Sequence, residues 1–283
     1  MPFTKMHGIG NDFIVIDCRK TALSSELSAL SELSRRLCHR RFGIGADQIL
    51  LLYNSAKADF QMRIFNADGS EVEMCGNGIR CFAKYIWDRK LSGKSVLEIE
   101  TAAGIIRPEK AGDLVRVDMG TPVLEGRQIP VDLDGVIKDY PLKVEDKTFN
   151  ITCVSMGNPH AVIFVDDVDG LDVQRYGSRI ETHPLFPRRV NVEFVHVIDP
   201  KTLRMRVWER GSGETMACGT GASAAAVAAN LKGVAGKKVT VKLLGGDLLI
   251  ELNADGHVYM TGPAEEVFEG RIEPFVSRTD SKK

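Results

Sequence analysis

The chain has 283 residues, of which 43% are hydrophobic and 27% charged, and its formal net charge is -1. That length allows one large domain or two ordinary ones, each with a real core. The balance offers no basic surface for nucleic acid or an anionic membrane, and no apolar run approaches the roughly 18 residues of a membrane span.

From the N-terminus, MPFTKMHGIGNDF lacks the basic and apolar regions of an export signal, so a cytoplasmic protein is expected. Strand-forming runs lie at 12–17, 48–53, 60–65, 96–101 and 114–118. Others lie at 161–165, 191–197, 203–208, 238–243, 247–252 and 257–260. Leu27, Leu30, Leu33 and Leu37 sit at helical spacing and predict an amphipathic surface helix over 25–38. Two other segments read differently. Residues 219–231, GTGASAAAVAANL, are small or apolar on nearly every face, and 77–87 are largely apolar apart from Arg80 and Lys84. Helices apolar all round are buried.

The chain repeats itself. Met62-Arg63-Ile64-Phe65, Glu71 and Cys75-Gly76-Asn77-Gly78 align without a gap on Met205-Arg206-Val207-Trp208, Glu214 and Cys218-Gly219-Thr220-Gly221. Gly10-Asn11 before one strand matches Gly157-Asn158 before another, and 117–122 resembles 258–263. So long a period means duplicated domains rather than a solenoid. The expected halves are 1–119 and 120–263, with a tail beyond. Each half would wrap a sheet around a central helix, with a cysteine at that helix's N-terminus.

Six cysteines are present, at 18, 38, 75, 81, 153 and 218, with no C-x-x-C pair. In a long chain without an export signal, neither a disulfide framework nor a structural zinc site is expected. Taken singly, Cys75 or Cys218 reads as a small buried hydrophobe. Packing alone, however, does not require a matched C-G-x-G in both halves. A helix N-terminus favours the thiolate and leaves the first amides open to an anion. Two such thiols on opposite sides of one carbon could take a proton from one face and deliver one to the other. No G-x-G-x-x-G or G-x-x-x-x-G-K-[ST] occurs, so nucleotide phosphate binding is unsupported. No cofactor or metal is expected. Alone, Asn11, Asn66, Asn158 and Asn191 are turn residues, Glu209-Arg210 is an exposed ion pair, and His160 is structural.

NDFIVID at 11–17, FNADGSEVEMCGNGIRC at 65–81, GNPHAV at 157–162, VNVEF at 190–194 and WERGSGETMACGTGA at 208–222 resemble the diaminopimelate epimerase family over essentially the whole chain. The resemblance implies an α/β (α+β) fold of two pseudo-symmetric domains, each a mainly antiparallel, barrel-like sheet wrapped around a central helix. It implies that the tail, 264–278, returns to the first domain. It implies cofactor-independent interconversion of LL- and meso-2,6-diaminoheptanedioate, a step toward lysine and peptidoglycan precursors. Carried over, Cys75 and Cys218 are the acid–base pair. Gly76-Asn77 and Gly219-Thr220 hold the reacting carboxylate, with Asn11 at that end. Asn66, Asn158, Asn191 and Arg210 bind the distal amino-acid end, Glu209 lies near the ammonium groups, and Gln48 is a further contact. His160 and Glu209 tune the thiols. The expected partner is a small amino-acid substrate, with a homodimer open.

Three other readings stay open on the residues. One is a racemase of the same fold acting on proline or hydroxyproline, which lack a second amino-acid end for Arg210 and the asparagines. Another is a thiol redox protein that switches a Cys75–Cys218 disulfide. The third is an inactive binding domain, against which both retained thiols weigh.

Overall fold

The strand runs are apolar at consecutive positions, so they bury both faces. In the computed structural model, which describes residues 1–19 and 26–273, they do so between an inner helix and an outer one. One sheet holds β1 (Pro2–Gly8), β2 (Asn11–Asp17), β3 (Gln48–Tyr53), β4 (Phe60–Asn66), β5 (Glu71–Val72), β6 (Ile99–Thr101) and β7 (Gly104–Ile106). The other holds β8 (Pro108–Ala111), β9 (Leu114–Asp118), β10 (Tyr140–Val144), β11 (Lys147–Ser155), β12 (Pro159–Phe164), β13 (Asn191–Asp199), β14 (Thr202–Glu209), β15 (Gly213–Thr215), β16 (Lys238–Leu243), β17 (Gly246–Leu252) and β18 (Val258–Gly262). The last strand, β19 (Glu265–Arg271), returns to pair antiparallel with β1 in the first sheet. Residues 274–278 of the expected tail lie outside the described residues.

Both sheets use one wiring. β2 runs parallel to β3 and β4 to β6, as β12 does to β13 and β14 to β16; the other named pairings are antiparallel. A parallel step needs a crossover, and a helix fills each one. α1 (Leu27–Cys38) and α3 (Val173–Glu181) cover the outer faces. α2 (Gly76–Asp88) and α4 (Gly219–Lys232) lie inside, in one apolar core that runs through both halves. Successive strand residues point to opposite faces. Phe13, Val15, Leu50 and Leu52 therefore join this shared core, while Ile14, Ile16, Ile49 and Leu51 pack under α1. Six alanines of α4, between Ala222 and Ala229, are fully buried, and their small side chains let the surrounding strands approach closely.

The two repeats are laced together. β9, from the first repeat, pairs antiparallel with β18, its counterpart in the second, with Asp118 opposite Tyr259 and Val117 opposite Met260. Equivalent strands paired this way place an approximate two-fold axis between them. Hydrogen bonding therefore puts 108–118 in the second sheet, although Val115 and Val117 also belong to the core that α2 occupies. A division of the chain at 119 does not coincide with the boundary between the sheets, because β9 serves both halves. Several elements have no counterpart in the sequence reading: β1, β5, β7, β8, β10, β11, β15, β19 and α3. β1 is interrupted by Lys5 and His7, and its partner β19 comes from the other end of the chain.

Candidate active site between two helix N-termini

Each repeat folds a hairpin, β4–β5 or β14–β15, directly before its inner helix. A bidentate pair braces each hairpin at matching distances: Arg63 with Glu71 at 2.7 and 3.1 Å, Arg206 with Glu214 at 2.7 and 3.1 Å. The chain then leaves the hairpin in extended form, and the cysteine becomes the N-cap. The Gly78 amide donates to Cys75 Sγ at 3.4 Å, and the Gly221 amide to Cys218 Sγ at 3.4 Å. An oxygen normally fills this position; here a sulfur does. The first helical carbonyl acceptors are used by Ile79 and Ala222, so the amides of Gly76, Asn77, Gly219 and Thr220 have no helical partner.

The two N-termini meet. The Asn77 side-chain amide donates to the Ala217 carbonyl at 3.2 Å. The tight entry requires glycine: a methyl on Gly219 would lie 2.8 Å from Met260 Sδ, and one on Gly76 3.2 Å from Met260 Cε. Around them opens a cleft of about 1460 Å³. Asn11, Gln48, Asn66, Cys75, Gly76, Asn77, Asn158, Glu209, Arg210, Cys218, Gly219 and Thr220 all line it.

The pseudo-two-fold supplies most of these residues in pairs. Asn11 matches Asn158, Gln48 matches Asn191, and Asn66 matches Glu209, each at the same end of the equivalent strand. In the first half Asn11 accepts from the Cys75 thiol (3.7 Å) and from Asn77 (3.3 Å), while its own amide donates to Asp47 (2.8 Å). Gln48 donates to Asn66 at 2.8 Å, leaving its own oxygen without a partner. Asn77 Oδ1 is likewise buried and unpartnered. In the second half, Thr220 Oγ1 lies 3.4 Å from Cys218 Sγ, and Glu209 accepts from the Thr215 hydroxyl. Arg210 is exposed at the cleft; its guanidinium donates to the Arg188 carbonyl at 3.2 Å and pairs with no carboxylate among the described residues.

Two expected site residues do not line the cleft. Asn191 is buried with both ends of its amide in use, donating to the Pro159 carbonyl (2.9 Å) and accepting from the Arg210 amide (2.9 Å). It shapes the loop that presents Arg210. His160 is fully buried between Glu193 Oε1 (2.7 Å) and Asn158 Oδ1 (2.8 Å). Glu193 and Arg80 were not among the expected site residues, and both are fully buried beside the inner helices. The sequence carries a signal for each: a carboxylate within the apolar run VNVEFV, and an arginine interrupting an apolar helix.

Burial changes the electrostatics expected from helix position alone. It pushes the Cys75 thiol up to about 11, against smaller lowering by the Gly78 and Asn77 amides; Glu209 also raises it and Arg80 lowers it. The Cys218 thiol is raised well above its ordinary value by burial, then by the Glu209 and Glu193 carboxylates. Helix amides lower both, but desolvation of a thiolate outweighs them. Burial also raises the Glu209 carboxyl, offset by its bonds to Thr215 and Cys218.

A family model described as diaminopimelate epimerase matches residues 3–125 and 152–267. A diaminopimelate epimerase of Moorella thermoacetica is 56% identical over 277 residues, spanning 95% of this chain and 98% of the relative. One of Acetivibrio thermocellus is 52% identical over 281 residues, spanning 96% and 99%. The chain belongs to the diaminopimelate epimerase family. It is an epimerase. Membership of that family fits the fold's wider distribution. A hydroxyproline epimerase from Agrobacterium vitis superposes with a TM-score of 0.69 at 17% identity, over 96% of this chain and 90% of that one. A PhzF-family phenazine biosynthesis protein of Bacillus anthracis gives 0.71 at 18%, over 97% and 99%. At such identities the likeness is one of fold. No helix among the described residues is long and apolar enough to cross a membrane.

Proposed function

We propose that the protein interconverts LL- and meso-2,6-diaminoheptanedioate by two-thiol acid–base chemistry at the α-carbon, in the supply of lysine and peptidoglycan precursors. The observation that carries the reading is the pair of cysteine N-caps on two abutting helices at one cleft. The substrate's reacting carboxylate would sit on the free amides of Gly76, Asn77, Gly219 and Thr220, with Asn11 beside it. Each helix end carries a partial positive charge of roughly half an elementary charge. As the Cα–H bond breaks, charge flows into that carboxylate, where two helix ends and no mobile water stabilise it. One thiolate takes the proton and becomes a thiol; the opposite thiol delivers its proton to the other face and becomes a thiolate. The reverse reaction starts from that second state. Glu209, beside Cys218, would hold an ammonium group and adjust the thiol's acidity. Arg210, with Asn66 and Asn158, would receive the distal carboxylate; Asn191 would act by holding the Arg210 backbone, and Gln48 by orienting Asn66.

Incubation with diaminopimelate in deuterium oxide tests this directly. The wild type should incorporate deuterium at the α-carbon and interconvert the isomers. Cys75→Ala and Cys218→Ala should each lose interconversion while keeping the wild-type circular dichroism. A single mutant that keeps more than about a tenth of the rate, a loss of ~1.4 kcal/mol or less, would overturn the paired-thiol reading.

A further inference from the structure

The two halves match at the thiols and differ behind them. Strand register makes Phe13 and Leu50 of the first half equivalent to His160 and Glu193 of the second. A methyl built on Gly78 would meet Leu50 and Phe13, at 3.3 and 3.4 Å; one on Gly221 would meet Glu193 Oε1 at 2.7 Å. The wall behind Cys75 is thus hydrocarbon, and the wall behind Cys218 carries a buried carboxylate. Glu193 bonds His160 through Oε1, and its Oε2 has no partner.

The inner helices differ in the opposite sense. Arg80 of α2 is equivalent to Ser223 of α4, and both donate to the carbonyl one turn back: Arg80 to Gly76 at 3.3 Å, Ser223 to Gly219 at 3.0 Å. The Arg80 guanidinium is fully buried, one turn beneath Cys75. Its other donations go to the Pro263 carbonyl (3.1 Å) and Met260 Sδ (3.6 Å); no carboxylate among the described residues pairs with it, and Nη2 is unsatisfied. An unpaired buried charge is costly and persists only where something offsets it. An anion in the first turn of α2 would do so.

We propose that the two thiols are not interchangeable at rest: Arg80 makes Cys75 the thiolate, Glu193 keeps Cys218 the proton donor, and both are positioning residues. The proposal rests on the two-thiol reading above. The groups facing each sulfur agree with it. Cys75 sees Arg80 from its own helix, Asn11 backed by Asp47 from β2, and Glu209 across the cleft. Cys218 sees Glu209 from β14, Glu193 from β13 backed by His160 on β12, and Thr220 from its own helix. Glu209 acts on both, so it does not set their order. Arg80 and Glu193 each act on one. The isomer whose Cα–H faces Cys75 then meets an enzyme ready to react. Its mirror-image partner needs the proton already moved from Cys218 to Cys75, by solvent or by a preceding turnover.

The test is the pH dependence of alkylation by iodoacetamide at each cysteine, read by peptide mass spectrometry on the full chain without substrate. Midpoints are compared rather than rates, since Cys75 is the more exposed. The Cys75 midpoint should lie at least one pH unit below that of Cys218. Glu193→Gln, nearly isosteric, should bring the Cys218 midpoint down and leave Cys75 in place. Arg80→Met should raise the Cys75 midpoint, and Arg80→Lys should restore it. If Arg80→Met does not fold, Glu193→Gln alone decides. Equal or reversed midpoints in the wild type, or a Cys218 midpoint unmoved by Glu193→Gln, would overturn the assignment. Such an outcome leaves the epimerase reading standing, and absence of deuterium exchange into diaminopimelate would leave the alkylation order standing.

Discussion

At the scale of residues, the site is a symmetric device with asymmetric substitutions. Cys75 and Cys218, Asn11 and Asn158, and Gly76 and Gly219 are the same on both sides. Asn66 becomes Glu209 and Ala67 becomes Arg210 in the second half. A two-ended substrate needs such a difference, because its distal carboxylate occupies one side only. If Arg210 binds that carboxylate, Arg210→Met should lower kcat/KM on diaminopimelate about 10²-fold, from ~1.5–3 kcal/mol for a charge-assisted bond. Part of the loss should appear in kcat, because the far end also orients the reacting carbon. Lysine, lacking the distal carboxylate, should be a very poor substrate. A mutant with wild-type kinetics would remove Arg210 from substrate recognition. The glycines three residues after each cysteine should also behave differently. A methyl at 221 strikes the Glu193 carboxylate at 2.7 Å, and that carboxylate is fixed by His160. A methyl at 78 meets side chains at 3.3–3.4 Å. Gly221→Ala should cost about 1–3 kcal/mol as an overpacked core site, and Gly78→Ala distinctly less. Urea unfolding of the two variants measures both; equal costs would mean that the Glu193 wall yields.

At the scale of elements, the inner helices are held by their ends as much as by their faces. α4 is small and apolar throughout, so amphipathic patterning cannot orient it; its register comes from the Cys218 cap at one end and Gly233 at the other. Gly233 closes the helix in the left-handed conformation (φ 79°), with its amide donating to the Asn230 carbonyl at 2.9 Å. A methyl there would touch nothing within 4 Å. Gly233→Ala therefore isolates the backbone term, and thermal or urea unfolding should show a loss of about 1–2 kcal/mol with activity unchanged. A neutral result would mean that the last turn rearranges freely. The hairpins before each inner helix were legible from the repeat, because Arg63–Glu71 and Arg206–Glu214 recur at fixed spacing. β1 and β19 were not, because each is completed by a strand from the far end of the chain.

For the whole molecule, the six cysteines make a common prediction. All are free thiols. Burial raises Cys18 and Cys38 to about 11, Cys81 and Cys153 to about 12, and the two site thiols as described. Each thiol binds its proton more tightly folded than unfolded. Its contribution to stability is therefore complete below the unfolded value of about 8.5 and is lost as pH rises toward the folded value. Thermal midpoints should be insensitive to these groups below about pH 8 and should fall steeply between about pH 9 and 11. The limiting slope is ~1.4 kcal/mol per pH unit for each thiol. A midpoint that holds steady to pH 11 would show that the buried thiols ionise in place.

The duplication, the two central helices and the cysteine caps follow from the sequence alone, because an ungapped repeat and an all-apolar helix constrain local structure whatever surrounds them. The acidity of the thiols did not follow. Helix position predicted a lowered value, and only the packed core showed that desolvation outweighs the helix ends. Asn191 and His160 were nameable from their motifs, yet their hydrogen bonds turn them inward, away from the cleft. Glu193 and Arg80 gain meaning only when strand register sets them beside Leu50 and Ser223, their counterparts across the pseudo-two-fold. That comparison depends on which side chains face one helix end, and tertiary packing alone decides it.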